Sequence, residues 1–197
     1  MVKEKILLHI CCGPCTLYPL KVLRKEGFEV QGYFYNPNIH PYQEFRRRIR
    51  ALERVSEIKN FFVIYEKEYG LRDFLRATVF RENKRCETCY LMRLERAIQV
   101  AKEMGFGAFT TTLLYSRYQA HQLIKEIAED LSFRYGVDFF YYDFREGWEE
   151  GQEEARSLDI YRQPYCGCIF SEQERYDKKW RKKMKKKAQK EVQHEPV

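Results

Sequence analysis

Seven cysteines fall into three groups: Cys11, Cys12 and Cys15; Cys86 and Cys89; Cys166 and Cys168. Thiolates are soft ligands, and four of them suit a structural zinc or an iron–sulfur cluster. The chain opens Met-Val-Lys-Glu-Lys and then a short apolar stretch, which lacks the apolar length and cleavage site of a signal peptide. A cytoplasmic protein with free thiols is therefore expected, not a disulfide scaffold. Zinc ribbons use paired Cys-x-x-Cys knuckles, whereas the elements here are Cys-Cys-x-x-Cys, Cys-x-x-Cys and Cys-x-Cys. Adjacent cysteines are expected to diverge, which serves one small zinc ion poorly. They can reach different irons of a larger cluster, or one cluster and a second metal. Cys166-Gly167-Cys168 could instead close as a strained, easily reduced disulfide, with glycine relaxing the backbone. Iron–sulfur, zinc and a metal-free dithiol site all remain open on spacing alone.

Positioning such groups takes a scaffold, and the pattern predicts an α/β one. Ile6–Ile10 is a nearly continuous apolar run, as in a strand buried on both faces. Leu17, Leu20 and Leu23 then mark a helix closed at Gly27. Further strands are expected at 28–35, 61–65, 106–114 and 138–142. Helices are expected at 45–59, 71–78, 86 to Gly105 (with Leu91, Leu94, Ile98 and Ala101 inward) and 118–135. The alternation implies a parallel five-stranded sheet with helices on both faces and right-handed crossovers. Ligands bind such sheets outside the carboxyl ends of the strands. Cys11, Cys12 and Cys15 follow the first strand, and Asn36, Asn38 and His40 the second. Thr110, Thr111 and Thr112 end the fourth, and Asp143 and Arg145 follow the fifth. Asp143 is placed to serve as a hard metal ligand or proton donor. His9 reads as a satisfied core histidine, and His40 and His121 either as residues within reach of the site or as ordinary surface. Arg46, Arg47, Arg48 and Arg50 read as a solvated face, and Tyr141 and Tyr142 as core strand residues.

Of 197 residues, 44% are hydrophobic and 33% charged, enough for one substantial core and too few for two ordinary α/β domains. No apolar run approaches the ~20 residues of a membrane helix. The formal charge of +7 belongs to the last 20 residues, where nine Lys/Arg face two acids. Residues 1–177 are thus neutral overall and form the expected catalytic domain. Residues 178–197 are a basic tail, read either as attracting polyanions, RNA among them, or as a solubilising, partly helical end.

Taken together, Cys-Cys-Gly-Pro-Cys after the first strand, Cys86-Glu-Thr-Cys89 and Tyr165-Cys166-Gly167-Cys168-Ile-Phe-Ser171 resemble the cobalamin-independent epoxyqueuosine reductases. Asp143-Phe-Arg-Glu-Gly and Ser157-Leu-Asp-Ile-Tyr-Arg-Gln163 extend the likeness over roughly residues 5–175. The resemblance implies a tRNA-modifying oxidoreductase that deoxygenates epoxyqueuosine at the wobble position. It implies a [4Fe–4S] cluster on Cys11, Cys12, Cys86 and Cys89, and a redox-active Cys166/Cys168 pair. It also implies an additional mononuclear iron, for which Asp143 and spare cysteines such as Cys15 are the candidates. A ferredoxin- or flavodoxin-like electron donor would complete the system. The implied fold is similar to that of nucleotide α-hydrolases, but Cys-Cys-Gly-Pro-Cys replaces their phosphate loop, so ATP use is not expected. A zinc-stabilised RNA-binding module and a metal-free thiol–disulfide oxidoreductase are the competing readings.

Overall fold

The computed structural model describes residues 4–184. Its centre is a strand, β1 (Lys5–His9), whose residues Ile6 to His9 are wholly buried. β1 pairs on one side with β2 (Glu29–Phe34) and on the other with β4 (Ala108–Thr111). β3 (Val63–Tyr65) and β5 (Asp138–Phe139) close the edges, giving the all-parallel order β3-β2-β1-β4-β5. A strand hydrogen-bonded on both edges and covered on both faces has no polar side, hence the unbroken Ile-Leu-Leu.

Helices cover both faces. α1 (Gly13–Lys25) packs on α2 (Tyr42–Lys59) and α6 (Trp148–Ser157), while α4 (Arg85–Glu103) packs on α5 (His121–Tyr135) and on α3 (Leu71–Thr78). α7 (Ile169–Tyr176) follows, and residues 178–184 are helical again. Gly13 explains how close α1 and α2 lie: a Cβ there would stand 2.8 Å from the Ala51 carbonyl oxygen. No described helix is long and apolar enough to cross a membrane.

The expected strands and helices are present with shifted ends. The largest difference lies after β4, which stops at Thr111 rather than Leu114. There the Thr111 hydroxyl accepts from the Leu113 amide at 3.1 Å, and the chain turns into a 3-10 helix over Thr112–Tyr115. A local side-chain bond has replaced the sheet ladder. Similarly β5 ends at Phe139, so Tyr141 and Tyr142 lie beyond the strand and Tyr141 is exposed. Leu91, expected inward on α4, is also exposed.

Candidate active site

The order β3-β2-β1-β4-β5 reverses direction between β1 and β4, and this is where a doubly wound sheet opens a crevice. Both strand ends contribute to it. The Cys11 amide donates to the Thr112 hydroxyl at 3.0 Å, and that hydroxyl lies 3.3 Å from Cys11 Sγ. Cys12 caps α1 with an extended backbone (φ −171°, ψ 164°), and Cys15 follows one helical turn on. The adjacent sulfurs do not diverge as expected: Cys11 Sγ and Cys12 Sγ are 3.6 Å apart. The change from strand to helix at Cys12 turns both to one side. The ligand atoms of Cys11, Cys12 and Cys15 all lie within 4.8 Å of one another, a set able to hold a metal. Gln163 secures it from the far end of the chain, donating to Cys12 Sγ at 2.9 Å. Hydrogen bonds from Cys12 and Cys15 draw the negative charge of the triad onto Cys11, whose thiol lies well below its ordinary value, while Cys15 is pushed up.

The other four cysteines form a second neighbourhood. Cys86 is exposed in the first turn of α4, and Cys89 and Cys168 are buried against Phe74. Burial pushes the Cys89 thiol up to about 12. Cys168 caps α7, its sulfur accepting from the Ser171 amide at 3.4 Å. Cys166 is exposed at the opening, where Gln119 Nε2 donates to its sulfur at 3.1 Å. Between them Gly167 has φ +145°, and an added Cβ would meet Asn38 Nδ2 at 3.1 Å and Arg48 Nη1 at 3.2 Å. Alanine at 167 is therefore expected to destabilise the fold by about 1–3 kcal/mol, read as a lower denaturation midpoint at unchanged slope.

Two arginines lie inside the site. Arg48 is 1% exposed, its Nε on Glu44 at 2.7 Å and its Nη atoms on the Cys166 and Tyr165 carbonyls at 2.7 and 2.9 Å. This overturns the solvated reading of the Arg46–Arg50 run at that one residue, because Glu44 one turn earlier allows the charge to be buried. Arg93, 2% exposed, was not singled out by sequence. Its place is legible in hindsight: Cys86, Cys89, Arg93, Ala97 and Val100 share one stripe of α4. Gln119 had no comparable signal, and Gln163 stands at the end of the Ser157–Gln163 stretch without a role of its own.

The remaining candidates are more dispersed. His9 is the buried, satisfied residue expected, on Thr111 Oγ1 at 2.8 Å, and burial lowers it to about 3. His40 is buried between Tyr69 and Phe74, and neither ring nitrogen has a hydrogen-bond partner among the described residues. His121 meets the Tyr141 hydroxyl at 3.2 Å. Asp143 is not brought to the sulfurs; both its oxygens are held by Arg145, at 2.7 and 2.6 Å, which keeps the carboxyl below its usual range.

A cavity of about 630 Å³ joins these parts. Cys11, Cys15 and Cys166 line it together with Arg48, Arg93, Gln119 and Gln163. Towards solvent stand Tyr118 and Trp148, edge to face at 5.7 Å, and then Arg162, Arg175 and Arg181. The arrangement is a sulfur floor under an aromatic and cationic rim. It suits a flat, anionic ligand carrying a group to be reduced.

The family model described as epoxyqueuosine reductase QueH matches residues 6–174. Epoxyqueuosine reductase QueH of Dehalococcoides mccartyi is 38% identical over 174 residues, covering 88% of this chain and 96% of the relative. The protein of the same name from Thermotoga maritima is 37% identical over 183 residues, covering 88% and 93%. Among solved structures, a predicted tRNA methyltransferase subunit from Methanocaldococcus jannaschii aligns at 15% identity with a TM-score of 0.54, over 78% of this chain and 74% of that one. That likeness concerns the fold alone.

Proposed function

The chain belongs to the epoxyqueuosine reductase QueH family, and from that premise we propose how its site performs the deoxygenation within tRNA. The observation that carries the reading is the cavity with cysteine sulfur at its floor and arginine and aromatic side chains at its rim. The donor set fits a thiolate-bound metal group: three sulfurs converge, and all seven cysteines are free. Cys11, Cys12, Cys86 and Cys89 would hold a [4Fe–4S] cluster, which supplies electrons one at a time. Each cluster thiolate would bind a different iron, so the four sulfurs need not converge as closely as the triad does. Cys15 is left for a second iron, and Asp143 would join it only by releasing Arg145. Free thiols of this kind fit the reducing cytoplasm.

Deoxygenation breaks both carbon–oxygen bonds of the epoxide, forms a carbon–carbon double bond and releases water. It consumes two electrons and two protons. Cys166 and Cys168 match that demand, since their conversion to a disulfide yields two of each. Burial pushes the Cys166 thiol up, which keeps its proton available for transfer to the departing oxygen. An external ferredoxin- or flavodoxin-like donor would return the pair to dithiol. The wobble nucleotide would leave the anticodon stack to enter the cavity, its base against Tyr118 and Trp148 and its phosphates near Arg162, Arg175 and Arg181.

Anaerobically purified protein should be brown and should convert the epoxide in tRNA to the alkene, followed by nucleoside mass spectrometry. A colourless protein holding zinc in the triad, with no turnover, would favour the RNA-binding alternative.

The basic tail adds the long-range attraction. Its expected apolar stripe is Trp180, Met184 and Ala188, of which Ala188 lies outside the described residues. The Trp180 amide donates to Asp177 Oδ1 at 2.8 Å, which caps the start of the segment. If about four of its charges neutralise phosphates, log K for tRNA falls with log salt with a slope of about 3 to 4. Deleting residues 178–197 should flatten that slope and raise KM for tRNA more than it lowers kcat. An unchanged KM and slope would leave the tail a solubilising end.

A further inference from the structure

Three buried side chains in the described core carry fixed charge, Glu44, Arg48 and Arg93, and their signs do not balance. Arg48 is matched by Glu44 at 2.7 Å. Arg93 has only Asn36 Oδ1 at 2.6 Å and Cys89 Sγ at 3.8 Å, and its Nε has no partner among the described residues. The buried histidines do not redress the balance, since burial lowers His9 to about 3, His40 to about 4 and His121 below its ordinary value.

A guanidinium cannot shed its proton, and a buried charge without a counter-ion is among the least favourable arrangements in a fold. This one is also held in a fixed orientation. Asn36 Nδ2 donates to the Ile10 carbonyl at the end of β1, at 2.9 Å, which leaves the amide oxygen facing Arg93. The side chain is thereby clamped with one donor on a sulfur and another face on the cavity. The group able to become anionic that Arg93 touches is the sulfur of Cys89, and Arg93 lines the cavity together with Cys11 and Cys166.

We propose that Arg93 is the counter-charge of the sulfur site, offsetting the negative charge of a thiolate-bound cluster and setting the potential at which that cluster accepts an electron. The inference rests on the cluster reading above. A fixed positive charge and an N–H directed at a ligating sulfur both favour the reduced state, which carries one more negative charge. Arg93 is thus a positioning residue acting through the cluster. It links the two cysteine neighbourhoods, since it touches Cys89 on α4 and lines the cavity together with Cys11.

The test compares wild type with Arg93→Gln and Arg93→Lys, all purified anaerobically. Iron and sulfide per chain, the midpoint potential followed by visible absorbance, and the melting temperature after chelation are measured. In Arg93→Gln reduction should be about tenfold less favourable, a shift of about 59 mV to more negative potential for a one-electron couple. Arg93→Lys, which keeps the charge, should recover most of it. After chelation Arg93→Gln should melt no lower than wild type, because the charge it removes has no carboxylate to lose. Should Arg93→Gln hold no cluster, retention by Arg93→Lys supports the proposal and loss from both overturns it. Equal potentials in wild type and Arg93→Gln, or a lower melting point of chelated Arg93→Gln, would also overturn it in favour of a structural role. Wild-type protein without iron would instead overturn the cluster reading.

Discussion

Alanine at both Cys86 and Cys89 is expected to remove most of the protein's iron and inorganic sulfide, a loss of about tenfold or more, while the far-ultraviolet circular dichroism stays unchanged. The fold should tolerate the change. Cys86 is exposed, where truncation costs within about 0.5 kcal/mol, and Cys89 behaves as a small buried apolar group whose truncation costs about 1 kcal/mol. Iron loss in a folded chain would therefore report ligation and not unfolding. The geometry makes this the decisive measurement, because Cys15, rather than Cys86 or Cys89, completes the close triad with Cys11 and Cys12. Cys15→Ala is the companion variant. It should keep the cluster absorbance and lose at most one further iron per chain. Full iron and sulfide in the Cys86/Cys89 variant, with loss in Cys15→Ala, would transfer the cluster to the triad and end the assignment made from the resemblance.

The scaffold was legible in the sequence where burial is symmetric. Ile6-Leu7-Leu8 reads as a strand covered twice, and Gly27 and Gly105, with φ +92° and +72°, close their helices where glycine is expected to. The gathering of cysteines at strand ends also followed from topology. What stayed hidden depends on how side chains are oriented and on what encloses them. Arg48 reads as one of four surface arginines until Glu44 and the carbonyls of Tyr165 and Cys166 enclose it. Arg93 reads as helix surface because no nearby carboxylate announces a buried charge. Asp143 illustrates the reverse: its strand-end position was visible, but Arg145, two residues on, occupies the carboxylate in a way that spacing alone did not reveal. A local partner such as Glu44 or Arg145 makes an ion pair possible, whereas the remote groups that enclose it decide whether it is buried in the site.

The Cys168→Ser variant should keep the cluster spectrum and yet lose epoxide reduction by about a thousandfold or more. Its fold is protected by chemistry, since Cys168 caps α7 through its sulfur at 3.4 Å from the Ser171 amide and serine is a better cap. What serine cannot do is give up two electrons with Cys166. The two cysteines are not equivalent in this scheme. Cys166 lines the cavity and can pass its proton to the leaving oxygen, whereas Cys168 is buried behind it against Phe74 and closes the disulfide. Wild-type protein mixed with one equivalent of substrate and no external donor should thus form a Cys166–Cys168 disulfide, found by peptide mass spectrometry as alkene accumulates. Loss of iron from Cys168→Ser would instead make Cys168 a metal ligand beside Cys89, its neighbour on Phe74. The two electrons would then have to arrive singly from outside, and turnover in the Cys166→Ser variant at the wild-type rate would follow from that scheme and not from this one.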